Sequence, residues 1–470
     1  MPILTDAPGS DGPAAVPGAD IDKLRTSIDG IVLTHSDHGW DAARAAWNLA
    51  ADRSPALIAQ PVNETDVVAI VEFARRHHLR VAPQCSGHNA GSLGPLGDAI
   101  LVSTVRMRGV EVDVDTRTAR VEAGTVWGTV TAATDPHGLF ALAGSSPNVG
   151  VVGYTLGGGL SWLARKHGLA ANHVAWLQLV TPEAQVLRVT PSTHPDLFWA
   201  LRGGAANFGV VTAMEFGLFP YGRITAGMFV WPYERHLEVL EAWHGWTRMA
   251  ADDITTSFRI MHFPPLGSLP PFLAGRSVAV IDGAFTGDAG DARAALAGLR
   301  ALSPEVDTWA PCTPAGLDHL HMDPLDPTPG ISTTMLLDSL EAGDLRRFAA
   351  AVPPGGPLMF GELRHLGGAV RRATGDGGAT SCLLADYCLY AVGIGTESGN
   401  PAIEPALGAL SAAMAVNSTG MVFANLAERP TSPSALFTAA AYDRLRHIRA
   451  AVDPGDVMLA GHPIPGGQER

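Results

Sequence analysis

Charge and cysteine are both scarce in this sequence. Only 17% of its 470 residues are charged and the formal net charge is -14, which argues against a nucleic-acid or anionic-membrane partner, because such binding depends on clustered Lys and Arg. The four cysteines, Cys85, Cys312, Cys382 and Cys388, include no C-x-x-C pair, so neither a disulfide framework nor a zinc ribbon is indicated. No apolar run approaches a membrane span, and the N-terminus lacks the basic segment and apolar core of a signal peptide. A cytoplasmic protein without a membrane partner is therefore expected, and the glycosylation-like triplets at Asn63 and Asn417 are read as chance. Three nucleotide and nucleophile signatures are also missing. There is no G-x-G-x-x-G fingerprint and no P-loop ending in Gly-Lys-Ser/Thr, which disfavours the usual nicotinamide and ATP readings. Ser146 does not stand in G-x-S-x-G, so a serine-hydrolase reading fails.

Apolar residues make up 46% of the chain, with 53 glycines and 35 prolines, a composition that suits a compact, loop-rich enzyme of two domains. The stretch that organises it is Ala143–Gly159, AGSSPNVGVVGYTLGGG, answered upstream by Gln84-Cys85-Ser86-Gly87-His88. Glycines at Gly150, Gly153, Gly157, Gly158 and Gly159 thin out the side chains, so that backbone N–H groups can turn toward a bound anion. A helix expected over Leu160–His167 would add its dipole to that site. The same glycines also suit a simple turn between packed elements.

Order is expected from Ile21, after a disordered tail over residues 1–20. Ala56–Gln60 reads as a buried strand, Asn63 as the cap of a helix carrying Val67, Ile70, Val71 and Ala74, and Arg80–Pro83 as the strand that delivers the His88 loop. Strands are expected at Ala99–Ser103, Val110–Val114, Ala119–Glu122 and Val210–Phe216, and a hairpin over Val174–Thr181 and Gln185–Val189. Helical patterns cover Val126–Thr134 and His194–Leu201. Composition changes near Pro220, beyond which strands alternate with helical segments at Leu237–Met249, Ala292–Leu302 and Ile403–Ala415, with Pro-rich loops at Pro264–Pro271 and Pro324–Pro329.

Four further segments carry a resemblance: Gln84–Asn89, Gly144–Gly150, LGGGLSWLARKHGLAANHV, and PDLFWALRGGAANFGVV over Pro195–Val211. Together with Tyr442–Leu445, Val452–Pro454 and His462–Ile464 they resemble the vanillyl-alcohol-oxidase flavoprotein superfamily, and within it the berberine-bridge-enzyme-like oxidases. The resemblance implies an α+β, two-domain fold: an FAD-binding domain over 21–218, an inserted substrate domain of antiparallel sheet and helices over 219–419, and a C-terminal return over 420–470. It implies FAD as cofactor, a small-molecule substrate with oxygen as electron acceptor, no nucleic-acid partner, and a monomer or homodimer.

Roles follow from the same resemblance, residue by residue. His88 stands where the family's histidine bonds to the flavin 8α-methyl carbon, a task suited to a neutral, nucleophilic imidazole. Many relatives carry a second, cysteinyl anchor; the matching residue here is Ser146, whose hydroxyl is too weakly acidic to replace a thiolate, so a single histidyl attachment is implied. Gln84, Cys85, Ser86, Gly87 and Asn89 would contact the cofactor, with Cys85 a small packing residue of the loop. Val149 occupies the position that governs oxygen access in these oxidases. Gly150 to Gly159, with Asn207 and Gly209, would hold the pyrophosphate and ribityl regions.

The catalytic side is where the sequence departs from its relatives. Phe423-Ala424-Asn425-Leu426 stands in place of a Tyr-x-Asn-Tyr pattern whose first tyrosine serves as base, and phenylalanine accepts no proton. That departure raises amine oxidation or substrate-assisted phenol chemistry. Glu362 and Arg364, on one face of a strand, are candidates to meet a polar substrate, with a structural ion pair as the alternative. Tyr387 and Tyr390 could supply a hydroxyl, and Asn425 is retained from the pattern. The alternation Asp318-His319-x-His321-x-Asp323 is not read as a metal site. The expected activity is removal of hydride from a hydrophobic alcohol, amine or phenolic metabolite with formation of hydrogen peroxide, such as a tailoring step in secondary metabolism. A redox-neutral flavoprotein cyclase and a flavoprotein that sequesters a toxic small molecule are the alternatives.

Overall fold

The computed structural model describes residues 16–267, 270, 272–396 and 398–466. Residues 1–15 of the expected tail, and 268, 269 and 271 of the Pro-rich loop, lie outside them. The last three residues of that tail are helical: a helix over Gly18–Ser27 buries Ile21 and Leu24 in a core shared with Val67, Ile70, Val71 and Ala74.

Three sheets build the molecule. The first holds β1 (Ile31–Leu33), β2 (Leu57–Gln60), β3 (Arg80–Gln84) and β4 (Ala99–Ser103), in the order β1-β2-β4-β3, with β4 parallel to both β2 and β3. Between β2 and β3 runs the helix Glu64–Arg76, whose cap is Asn63: its side chain accepts from the Asp66 N–H at 2.8 Å. Strand β3 is wholly apolar at Val81 and Ala82 and gives way to polar residues at Gln84, so the chain leaves the core there and presents the His88 loop.

A second sheet comprises β5 (Val110–Asp113), β6 (Thr118–Glu122), β7 (Val174–Val180), β8 (Val186–Val189) and β9 (Val210–Gly217), ordered β5-β6-β9-β7-β8 and antiparallel throughout. The largest sheet contains β10 (Ile224–Pro232), β11 (Ile254–His262), β12 (Ser277–Phe285), β13 (Val306–Asp307), β14 (Ala310–Cys312), β15 (Gly330–Leu337), β16 (Phe360–His365) and β17 (Tyr387–Ile394). Its path is β13-β10-β12-β11-β16-β17-β15, with β14 also on β10. Helices His236–Thr247, Ala342–Ala350 and Ile403–Met414 cover one face of this sheet and bury Trp243, Phe348 and Leu410 against it. The other face looks toward the first two sheets. The α+β, two-domain architecture expected from the sequence is thus the one observed.

The chain ends by returning to the first sheet. Leu459 donates to the Val81 carbonyl at 2.9 Å, and Val81 to the Val457 carbonyl at 2.7 Å. Buried Arg449 ties this return together through Asp453 at 2.7 Å and the Met458 carbonyl at 2.8 Å.

One expected helix is replaced. The glycine-rich segment itself contains a helix, Val151–Leu156, while Leu160–His167 is helical only over Ala164–His167. Gly158 and Gly159 take φ of +116° and +74°, a reversal open to glycine, and the Ser161 hydroxyl accepts from the Leu163 N–H at 3.2 Å. That local bond competes with helix formation, so no long helix points its dipole at the glycines.

Candidate active site

A cavity of about 360 Å³ lies between the His88 loop, the glycine-rich segment and the open face of the largest sheet. Ser86 is the hinge of its first wall. Its hydroxyl accepts from the Gly150 N–H at 3.2 Å and meets His88 Nδ1 at 2.9 Å. The imidazole stacks on Trp47 with ring centroids 4.1 Å apart and planes 13° from parallel. His88 Nε2 is buried and has no protein partner. Burial pushes the imidazole down to about 4, only partly opposed by Asp323, so His88 is neutral at pH 7 with a free nitrogen at the cavity. Cys85, by contrast, is pushed up to about 11 by burial and stays a thiol.

Of the expected cofactor contacts, Gln84, Cys85, Ser86, Gly87, His88, Asn89, Ser146, Val149, Gly150, Gly153 and Gly157 line the cavity. A Cβ at Gly150 would lie 2.7 Å from Cys85 Sγ, whereas one at Gly153 would meet nothing within 4 Å. Gly158 and Gly159 turn the chain behind the wall, where Gly159 packs against Tyr154 and Ala170. Asn207 and Gly209 do not line the cavity. Asn207 accepts from the Ile464 N–H at 2.9 Å and donates to the Gly204 carbonyl at 2.8 Å, clasping the C-terminal segment. Gly209 sits against the Val180 carbonyl, where a Cβ would come within 2.5 Å. Their neighbours Ala205 and Ala206 form the wall instead.

Strand register builds the opposite wall. Arg259 pairs with Glu362 and Glu362 with Tyr390, so three strands place these side chains in one row. Two residues along, Asp282, Ser257 and Arg364 form a second row on the same face. The Arg364 guanidinium clasps Glu362 at 2.8 and 3.1 Å. Asp282 accepts from His321 Nδ1 at 2.8 Å and is paired with Arg259. Burial opposes the charge on Glu362, but Arg364 and His321 hold its carboxyl well below the usual range. Burial and Arg259 work against a charged His321, yet Asp282, Asp323 and Glu362 raise its pKa above the ordinary value. The result is a buried, internally paired ionic wall, of which Arg259, His321, Asp323 and Arg364 reach the cavity.

Tyr387 is not part of this wall. It is three residues before Tyr390, an odd step that puts it on the opposite face of β17, where its hydroxyl bonds Thr247 Oγ1 at 2.6 Å beneath Trp243. Asn425 does reach the cavity, but both ends of its amide are engaged: it accepts from the Gly159 N–H at 3.1 Å and donates to the Tyr154 carbonyl at 2.8 Å. It braces the glycine segment. Phe423 is 1% exposed and packs close to Gly158. Asp318 and Asp323 are taken by Thr131 at 2.6 Å and Ser145 at 2.8 Å.

The sequence did not single out Trp47, Tyr154, Arg259, Asp282, Glu428 or His462 as site residues. Glu428 lines the cavity and accepts from the Tyr390 hydroxyl at 2.7 Å and the Ser332 hydroxyl at 2.9 Å. Strand register brings Arg259 and Asp282 to the site, and chain folding brings Trp47, Glu428 and His462 there from loops; Tyr154 lies inside the glycine-rich segment itself.

Residues 55–190 match an FAD-binding domain. The chain is 30% identical over 238 residues to an uncharacterised FAD-linked oxidoreductase of Bacillus subtilis, covering 50% of this chain and 53% of that one. It is 33% identical over 212 residues to (R)-6-hydroxynicotine oxidase of Paenarthrobacter nicotinovorans, covering 44% and 46%. The chain thus spans about half the length of the curated relatives it matches. In structure it is similar to berberine-bridge-enzyme-like 1 of Physcomitrella patens, with a TM-score of 0.82 at 18% identity, covering 96% of this chain and 100% of that one. It is also similar to 6-hydroxy-D-nicotine oxidase of Arthrobacter nicotinovorans, with a TM-score of 0.80 at 21% identity, covering 94% and 99%.

The residues present fit FAD. His88 Nε2, Asn89 Oδ1 and Ser146 Oγ are buried polar atoms without protein partners, and all three residues line the cavity. Unpaired buried polar groups are costly unless a ligand meets them, and the open space at Gly153 is the kind of close approach a large planar cofactor requires.

Proposed function

We propose, for a chain that carries an FAD-binding domain within the berberine-bridge-enzyme-like fold, that it is an FAD-linked oxidase of a small, largely apolar molecule, with its flavin attached through His88 alone. The observation that carries this reading is the single cavity joining two walls of different character, a neutral imidazole with a free nitrogen on one side and a fixed ionic row on the other.

Each wall has its task. Ser86 and Trp47 fix the His88 ring, and burial keeps it neutral and hence nucleophilic at pH 7. Ser146, a hydroxyl rather than a thiol, leaves His88 the only anchor. Asn425 and Ser86 hold the glycine segment in place from its two ends. Bound FAD supplies a two-electron acceptor that oxygen can regenerate. Arg364 and His321 present polar groups to a substrate while Glu362 and Asp282 keep them in position, and Met261, Phe360, Val392 and Phe423 provide apolar contact. Val149 keeps the cofactor wall small, which favours oxygen as acceptor and hydrogen peroxide as product.

The test is anaerobic. Purified protein is mixed with candidate alcohols, phenols and amines while its flavin absorbance is followed, then exposed to oxygen with peroxide detection. Bleaching followed by peroxide supports the oxidase, and bleaching that oxygen does not reverse contradicts it. Val149→Leu is expected to slow reoxidation at least 10-fold with reduction unchanged.

A further inference from the structure

Oxidation of an alcohol or phenol needs a group that takes the O–H proton, and Phe423 supplies none. We propose that Glu428, reached through the hydroxyl of Tyr390, is that proton acceptor, and that it discharges the proton outward into a separate polar cleft. This rests on the oxidase reading above.

Position is the first ground. Glu428 lines the inner cavity and also a second cleft, bordered by Asp41, Arg44, Asp52, Arg53, Glu404 and Arg429. Among the described residues only Asn48, Gly330 and Glu428 are common to both, and Glu428 is the only ionisable one of the three. A proton arriving from the cavity can therefore leave on the far side without crossing the substrate.

Contrast with Glu362 is the second ground. Glu362, in register with Tyr390 on the neighbouring strand, is clasped by Arg364 at 2.8 Å and held well below the usual range, so it stays ionised. Glu428 has no such clamp. The adjacent Arg429 is paired with Glu404 at 2.6 Å, and the Glu428 carboxylate is met by two neutral hydroxyls, Tyr390 and Ser332. Burial raises its pKa, opposed by those hydrogen bonds and by Arg429. The charged groups facing the pair are Arg429 from its own segment, Arg53 and Glu404 across the cleft, and Asp323, which acts on Tyr390. Two carboxylates whose surroundings drive them apart in basicity divide into a fixed charge and a proton acceptor.

For a substrate bearing CH–OH, the O–H bond breaks and its proton passes to the Tyr390 oxygen as Tyr390 gives its own proton to Glu428. FAD held in the cavity would supply the two-electron oxidant that accepts the C–H hydrogen with its bonding electrons. The substrate carbon is oxidised to a carbonyl, and the Glu428 carboxyl then loses its proton to water in the cleft.

The test begins without a substrate. Infrared difference spectra of the flavin-loaded protein across a pH titration are expected to show a protonated-carboxyl band with a midpoint above the ordinary glutamate value of about 4.3. That band is absent from Glu428→Gln and shifted in Tyr390→Phe. With whichever alcohol or phenol bleaches the flavin, Glu428→Gln and Tyr390→Phe are then expected to slow bleaching by roughly 100-fold or more while retaining the wild-type flavin spectrum, and bleaching by amines alone overturns the proposal. If Glu428→Gln does not fold, the wild-type titration and Tyr390→Phe carry the test. Absence of a titrating band sensitive to either substitution, or wild-type bleaching rates in the variants, overturns the proposal. Failure of every compound to bleach wild-type flavin contradicts the oxidase reading, whereas the infrared titration reports on Glu428 independently.

Discussion

A methyl group added at Gly153 meets no protein atom within 4 Å, and Gly153 lies inside the helix Val151–Leu156 with its open side toward the cavity. Gly153→Ala should therefore stabilise the fold slightly, by up to about 1 kcal/mol from helix propensity. Against a cofactor seated on that wall the same methyl is overpacked by roughly 1–3 kcal/mol, a loss of about 5- to 150-fold in FAD affinity. Gly153→Leu keeps a good helix former and fills the space further, so its binding should fall below detection. The assay is fluorescence titration of FAD in a His88→Ala background, where binding is reversible, beside thermal unfolding of each variant without flavin. Gly159→Ala is the opposite control. Its Cβ would lie 2.5 Å from Tyr154 Cε1 at a φ of +74°, so left-handed strain and overpacking together should cost about 2–5 kcal/mol of stability. Unchanged FAD affinity in both Gly153 variants would refute the placement of the cofactor against this helix.

Two further outcomes follow from the buried charges. Arg364→Met leaves Glu362, with no exposed surface, facing His321 at 3.7 Å, and urea unfolding at pH 7 should show a loss of about 3–5 kcal/mol. Because Glu362 is held below its ordinary value, the stability it contributes is present above the unfolded pKa and lost as pH falls, so the deficit of the variant should shrink below about pH 4. His88 works in the same direction. With a folded value of about 4, it stays neutral while the unfolded chain takes up a proton, so lowering the pH from 7 to 5 should remove about 2 kcal/mol from the flavin-free protein. His88→Gln should lack that component in unfolding measured at the two pH values, and an unchanged pH slope would show that His88 is protonated in the fold.

How much of this was legible in the sequence depends on how local each feature is. The strand–helix–strand unit from Leu57 to Gln84 could be read because its burial, cap and strand exit are all encoded within about thirty residues. The His88 loop and the glycine segment were legible for the same reason. Alternation put Glu362 and Arg364 on one face, as observed, and the same rule separates Tyr387 from Tyr390, but it does not say which face meets the cavity. That depends on which side the helices cover. The ionic row is the least legible part, since Arg259, Asp282, His321 and Glu362 come from distant segments whose register is a property of the folded sheet. The expected helix at Leu160 failed because two left-handed glycines and the Ser161 hydroxyl outweigh a helical pattern eight residues long.

The central claim is that this cavity holds FAD bound to His88, and the most direct measurement is the fate of the flavin in acid-denatured protein, followed by mass and absorbance for the wild type, His88→Ala and Ser146→Ala. Flavin is expected to stay with the wild type and with Ser146→Ala and to be released from His88→Ala. Flavin released from the wild type, or retained by His88→Ala, would contradict it.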